Sequence, residues 1–139
     1  MPNEGFDQKG PGCDDYETPA WLFKTLDTEF AFTLDGAANQ ENTKCLHFSS
    51  ELLPADWGGH RVFCNPPYSN IEPFVALAIH ARSQIAVLLL PVRSDSDWWA
   101  DVIAHAEIRW FRKRIRFELN GVAQESPRFP SIVAIFRGR

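Results

Sequence analysis

Residues 85–90, Ile-Ala-Val-Leu-Leu-Leu, form an uninterrupted apolar run with no polar residue to turn toward water. A strand wetted on one side alternates apolar and polar residues, whereas a strand covered on both faces does not. The run therefore predicts a central strand with structure packed on both sides. Residues 31–34 (Ala-Phe-Thr-Leu) and 62–64 (Val-Phe-Cys) predict two further strands. Segments of helical periodicity lie between them. Thr18 and Pro19 read as the N-cap and first residue of a helix over about 19–29, with Leu22, Leu26 and Phe30 on one face. Phe74, Leu77, Ala78 and Ala81 mark a helix over 71–82. Ser94 with Asp97 reads as a capping box opening a helix through Trp98, Trp99, Val102 and Ile103. This alternation predicts an α/β fold with a mostly parallel sheet. Toward the end the pattern changes: residues 108–111, 115–119 and 132–136 read as closing strands, some antiparallel, with a turn at Asn120-Gly121.

A chain of 139 residues suits one domain, burying about two-thirds of its unfolded surface. Residues 1–14 are rich in Gly, Pro and charge without periodicity and predict a flexible arm, leaving a single domain over 15–139. There is no apolar stretch of membrane-spanning length and no secretory leader, so the expected address is the cytoplasm, with no membrane partner. Cys13, Cys45 and Cys64 are odd in number and lack metal-ligand spacing, as do His47, His60, His80 and His105. Neither a disulfide nor a metal site is expected. Net charge is −4, but it is unevenly spread: residues 109–139 hold eight Lys or Arg against two Glu, a net +6, leaving −10 for the remainder. One electropositive face able to meet phosphates is the expectation.

The densest chemistry follows the strand at 62–64. In Asn65-Pro66-Pro67-Tyr68 an amide oxygen and a fixed carbonyl can each accept one hydrogen of an amino group on an aromatic ring. Holding both hydrogens localises a lone pair that is otherwise delocalised. The two prolines fix the backbone and remove two donors, so the Pro66 carbonyl can be aimed, while Tyr68 offers a flat face for a planar base. Asp35-Gly36, Asn65-Pro66 and Pro91 each follow an apolar strand, and ligands of open α/β sheets bind beyond the carboxyl ends of strands. Downstream, Arg112, Lys113, Arg114 and Arg116 interleave with Trp110, Phe111 and Phe117, a pattern suited to phosphate contact on an apolar backing. Arg93 and Ser94, after the central strand, are candidates for touching a target base or its backbone.

Asn65-Pro66-Pro67-Tyr68 resembles the catalytic signature of S-adenosylmethionine-dependent amino-methyltransferases. Within that class the chain is similar to the small phage-type (Dam-like) adenine DNA methyltransferases. The likeness covers most of residues 14–136, through Asp-Tyr-Glu-Thr-Pro at 15–19, Leu-Asp-Gly-Ala-Ala-Asn at 34–39, Asp56-Trp57, Leu-Pro-Val-Arg-Ser-Asp at 90–95 and Arg-Ile-Arg-Phe at 114–117. It implies an S-adenosylmethionine site built from Thr18, Pro19, Asp35, Gly36, Ala37, Ala38 and Asn65, with Asp35 near the cofactor's amino group. An acid for the ribose is expected about 20 residues beyond the glycine turn, at Glu51 or Asp56, with Glu51 preferred. Residues 40–64 are too few for two helix–strand units, so a Rossmann-like methyltransferase sheet would be abbreviated here.

The implied activity is methyl transfer to the exocyclic N6 of adenine in double-stranded DNA, with the base flipped out and catalytic duties on Asn65, Pro66, Pro67 and Tyr68. Competing readings keep the pocket but change the acceptor to an RNA adenine, a DNA cytosine or a protein glutamine, or make the chain a non-catalytic DNA-binding relative. Without room for a separate target-recognition domain, recognition would be short, absent or shared across a homodimer, with a monomer the other option.

Overall fold

The computed structural model describes residues 16–39, 41–50, 54–125 and 129–138. The arm expected over 1–14 and Glu51 lie outside the described residues. The chain runs α1 (Ala20–Phe30), β1 (Leu34–Asp35), β2 (His47–Phe48), α2 (Pro54–Trp57), β3 (Arg61–Cys64), α3 (Glu72–His80), β4 (Ile85–Pro91), α4 (Asp97–His105), β5 (Glu107–Trp110), β6 (Glu118–Leu119), β7 (Val122–Ala123) and β8 (Ser131–Arg137). Six strands form one sheet in the order β2-β1-β3-β4-β8-β5, and β6 and β7 form a separate hairpin. Strands β2, β1, β3 and β4 pair in parallel, and β8 inserts antiparallel between β4 and β5. All the sheet strands except β8 therefore point the same way.

The apolar run becomes β4, buried at every position, and its side chains sort by parity. Ile85, Val87 and Leu89 join Leu22, Leu26 and Phe30 of α1, together with Phe63, Ile115, Phe117, Val133 and Ile135. Ala86, Leu88 and Leu90 face Phe74, Val75, Leu77 and Ala78 of α3, Trp98 and Val102 of α4, and Trp57. Helices thus cover both faces, as the absence of alternation requires.

Several boundaries differ from the sequence reading for identifiable reasons. Pro19 has φ −56° and ψ 137°, an extended conformation, so it occupies the N-cap position itself and Thr18 is not the cap. Residues 31 and 32 turn the chain instead of extending β1, while the Thr33 N–H donates to the Arg61 carbonyl at 2.8 Å beside β3. Ala31 is left-handed at φ 51°, and the Phe32 N–H donates to Asp27 Oδ1 at 2.8 Å. Ser96, not Ser94, precedes α4, and its hydroxyl donates to the Arg93 carbonyl at 2.6 Å, so no capping box forms. The strand expected over 115–119 shrinks to β6, although buried Ile115 and Phe117 still alternate with exposed Arg114 and Arg116. Asn120 and Gly121, both at positive φ, make the expected hairpin turn. The described residues of the span 40–64 hold a two-residue strand, a single helical turn and β3.

Candidate active site

From β1 the chain moves outward to β2, then returns across β1 to β3. Neighbouring connections that leave in opposite directions open a crevice beyond the strand ends. Asp35 ends β1 and Asn65 follows β3, with Asp35 in register with Phe63. The Gly36 N–H donates to the Phe63 carbonyl at 2.8 Å, extending the pairing one residue past β1. Here glycine is required by space: a Cβ at residue 36 would lie 2.6 Å from Trp57 Cζ2 and 3.1 Å from Val62 Cγ1. Trp57, fully buried on α2, is the floor under the turn, which gives the Asp56-Trp57 pair a structural reason.

A small cleft of about 50 Å³ opens at this point, lined by Tyr16, Glu17, Thr18, Asp35, Ala37, Asn42, Lys44, Phe63 and Asn65. The structure therefore brings together Thr18, Asp35, Ala37 and Asn65 of the expected set. Pro19 and Ala38 are buried, and the Ala38 N–H donates to the Ser49 carbonyl at 3.1 Å, joining the ends of β1 and β2. Asp56 is half-buried and accepts from Ser49 Oγ at 3.3 Å. Sequence reasoning missed Tyr16, Glu17, Asn42 and Lys44. Their signal lay in the asparagine-rich loop: Asn39 Oδ1 accepts from the N–H groups of Glu41 and Asn42 at 2.9 and 3.0 Å, and Asn42 Oδ1 accepts from Asn39 N–H at 2.8 Å. These side-chain-to-backbone bonds fold the loop back onto the site.

Asp35 is buried, which pushes its carboxyl above the ordinary range. The Lys44 N–H on Oδ2 at 2.9 Å, the Ala37 N–H on Oδ1 at 3.4 Å and the Lys44 charge pull it partly back. Asn65 Nδ2 donates to the Tyr16 carbonyl at 3.4 Å. Only the nitrogen of an amide can donate, so this contact fixes the flip of the side chain and turns Oδ1 into the acceptor left for a ligand. Pro66 is buried, and the Pro67 carbonyl accepts the Asn70 N–H at 3.0 Å in a tight 3-10 turn over Tyr68–Asn70. The Pro66 carbonyl lies just upstream of that turn. Phe117 meets the half-buried Tyr68 ring edge-to-face, 6.1 Å between centroids at 90°.

The basic segment leaves β5 and passes over the α1 side of the sheet. Exposed Arg112, Lys113, Arg114 and Arg116 line an open groove of about 770 Å³ with Trp21, Phe111 and Ile115. Trp21, 56% exposed on α1, was not singled out in the sequence. The positive face is narrower than the residue count suggests. Arg109 forms a two-pronged pair with Glu29 at 2.6 and 2.7 Å, and Arg137 binds Glu107 at 2.7 Å. Arg93 lies apart from this groove, its guanidinium 5.2 Å from the Phe129 ring centroid, and Ser94 sits exposed in the turn after β4. A backbone bridge between Glu17 and Glu118, at 2.7 and 2.9 Å, ties the cleft-lining segment at residues 16–18 to the hairpin beside the groove. A further cavity of about 360 Å³, lined by residues 78–83, Arg137 and Gly138, lies at the opposite end of β4 and contains none of the expected site residues.

No group of three or more His, Cys, Asp or Glu able to hold a metal occurs among the described residues, and no helix among them is long and apolar enough to cross a membrane. Burial pushes the Cys45 thiol up to about 12 and the Cys64 thiol well above its usual value, so both stay protonated near neutrality.

Two outcomes follow for stability. Gly36→Ala is expected to destabilise the fold by about 1–3 kcal/mol in urea unfolding, the range for overpacking a filled site. Asp35 binds its proton more tightly folded than unfolded, so its contribution to stability falls as pH rises from the ordinary carboxylate range through the raised value. Asp35→Asn, which cannot titrate, should lose this part of the pH dependence, read as a flatter curve of unfolding temperature against pH across that window.

With this geometry in hand, comparison with known proteins gives one consistent answer. A family model described as DNA N-6-adenine-methyltransferase (Dam) matches residues 7–138. A DNA N-6-adenine-methyltransferase of Haemophilus phage HP1 is 35% identical over 123 residues, covering 81% of this chain and 71% of the relative. One of Escherichia phage T1 is 32% identical over 117 residues, covering 78% of this chain but 49% of the relative. The cleft at the β1 and β3 ends, with its Asp35 and Asn65, thus sits in a chain that belongs to the DNA N-6-adenine-methyltransferase (Dam) family.

Proposed function

We propose that the protein transfers a methyl group from S-adenosylmethionine to the exocyclic N6 of an adenine turned out of duplex DNA, acting in the cytoplasm where DNA is accessible. The observation that carries this reading is the Asn65 amide, held through Nδ2 by the Tyr16 carbonyl in the same cleft as Asp35. The residues fit the cofactor. Asp35 offers a buried carboxylate to an ammonium, and Ala37, which lines the cleft beside it, is small enough to leave a ligand room at the turn. The cofactor would supply an electrophilic methyl group on sulfonium sulfur.

The protein supplies orientation. Asn65 Oδ1 and the Pro66 carbonyl accept the two hydrogens of the adenine amino group, directing its lone pair, and the Tyr68 ring stacks on the base with Phe117 holding its tilt. Turning a base out of the duplex costs a few kcal/mol. Stacking contributes about 1–3 kcal/mol, so one aromatic contact and two hydrogen bonds offset that cost. Asn65 takes no proton, which leaves to water after methyl transfer. The Rossmann-like reading of the sheet is supported by its parallel half and its order reversal between β1 and β3. Glu51 is kept as the candidate for the cofactor ribose, as it follows β2 in sequence. Arg112, Lys113, Arg114 and Arg116 take backbone phosphates in the groove, and Arg93 and Ser94 contact the target strand beyond β4.

Transfer of labelled methyl to unmethylated duplex DNA, followed by nucleoside analysis, tests the reaction: label in N6-methyladenine is the expected product, and label confined to RNA or protein overturns the acceptor. Asn65→Ala should lose at least about a hundredfold in turnover, the scale of one preorganised contact, while still binding cofactor. Full turnover in that variant would remove Asn65 from the mechanism. Replacing Arg112 and Lys113 together by Ala should flatten the slope of log affinity against log salt by about 1.8, roughly 0.9 for each phosphate no longer neutralised.

A further inference from the structure

The cleft at the β1 and β3 ends holds a second charge that the adenine chemistry does not use. Lys44 is half-buried, lines the same cleft as Asp35, and has its main chain pinned there by the hydrogen bond from its N–H to Asp35 Oδ2. Its ammonium takes part in no ion pair among the described residues, whose salt bridges join Arg109 and Arg137 to Glu29 and Glu107. The loop that carries it is braced from both sides. Thr43 Oγ1 donates to the Cys45 carbonyl at 2.9 Å and accepts the Cys45 N–H at 3.2 Å, while the Thr43 N–H donates to the Asn39 carbonyl at 3.0 Å. A lysine presented by a braced loop next to a buried carboxylate, yet not collapsed onto it as an ion pair, leaves two opposite charges on residues that line one small polar space.

Size narrows what fits between them. Pockets for whole nucleoside-sized ligands run from about 300 Å³ upward. The ≈50 Å³ here suits a headgroup. A zwitterionic α-amino acid presents an ammonium and a carboxylate on one carbon, the mirror of a carboxylate and an ammonium on the protein. Asn42, also lining the cleft, adds an amide that can serve either end.

We propose that Lys44 and Asp35 form a two-point clamp for the amino-acid end of the cofactor, Lys44 holding its carboxylate and Asp35 its ammonium. This rests on the cofactor reading above and adds a binding residue to it. The clamp orients the methionine chain, and so fixes where the sulfonium methyl points relative to Asn65. Lys44 has no part in the chemical step and acts as a binding and positioning residue.

The test compares ligands that differ only at the carboxylate. Binding of S-adenosylhomocysteine and of its decarboxylated analogue to the full chain is measured by titration calorimetry for the parent, Lys44→Met and Lys44→Arg. The clamp predicts that the parent prefers the carboxylate-bearing ligand. Lys44→Met should lose about tenfold or more for that ligand, the loss of one charge-assisted hydrogen bond, and stay within about twofold for the decarboxylated one. Lys44→Arg should recover part of the loss. Equal weakening of both ligands, or of neither, overturns the assignment while leaving the cofactor reading intact. A parent that binds neither ligand overturns both.

Discussion

A single backbone hydrogen bond, from the Gly36 N–H to the Phe63 carbonyl, sets the geometry on which the site depends. It carries the β1–β3 pairing past the end of β1, so that Asp35 and Asn65, thirty residues apart in the chain, come out on the same edge of the sheet. Trp57 lies beneath the turn that makes this bond, and any side chain at residue 36 would strike its ring. The glycine and the tryptophan are therefore packed as one unit next to the buried carboxylate of Asp35.

The second organising element is the segment at residues 16–18. Tyr16 gives its carbonyl to Asn65, Thr18 lines the cleft, and Glu17 pairs with Glu118 of the β6–β7 hairpin. Phe117, the neighbour of Glu118, leans on Tyr68. Through these contacts the wall of the small cleft, the Tyr68 ring and the basic groove share one continuous set of backbone and ring contacts. Preorganisation of this kind does not need a large protein. It needs short links between the groups that must keep their spacing.

Much of this was legible in the sequence where local physics and tertiary structure agree. The apolar run of β4, the helical spacing of Leu22, Leu26 and Phe30, and the Asn120-Gly121 turn all kept their expected roles. Boundaries failed where a turn borrowed residues from an element, as Ala31 and Phe32 do, or where a proline's own extended ψ displaced the cap, as at Pro19. Strand β2 gave no usable signal. It is two residues long and both are exposed, so no alternation of apolar and polar side chains marks it. The polar residues gathered at the strand ends were readable because they follow apolar runs. Lys44 and Asn42 were not, since a loop's return path is set by asparagine hydrogen bonds that have no periodicity.

Strand β8 comes last in the sequence yet sits inside the sheet, between β4 and β5. Its seven residues pair along the whole of β4, and among the described residues β5 has no other sheet neighbour. On the ribosome, β4 must therefore wait with one edge unsatisfied until more than forty further residues have been made, and β5 stays unpaired throughout. Folding is consequently a late, long-range event whose rate is governed by loop closure, and the waiting edge of β4 is the surface most exposed to mispairing with another nascent chain.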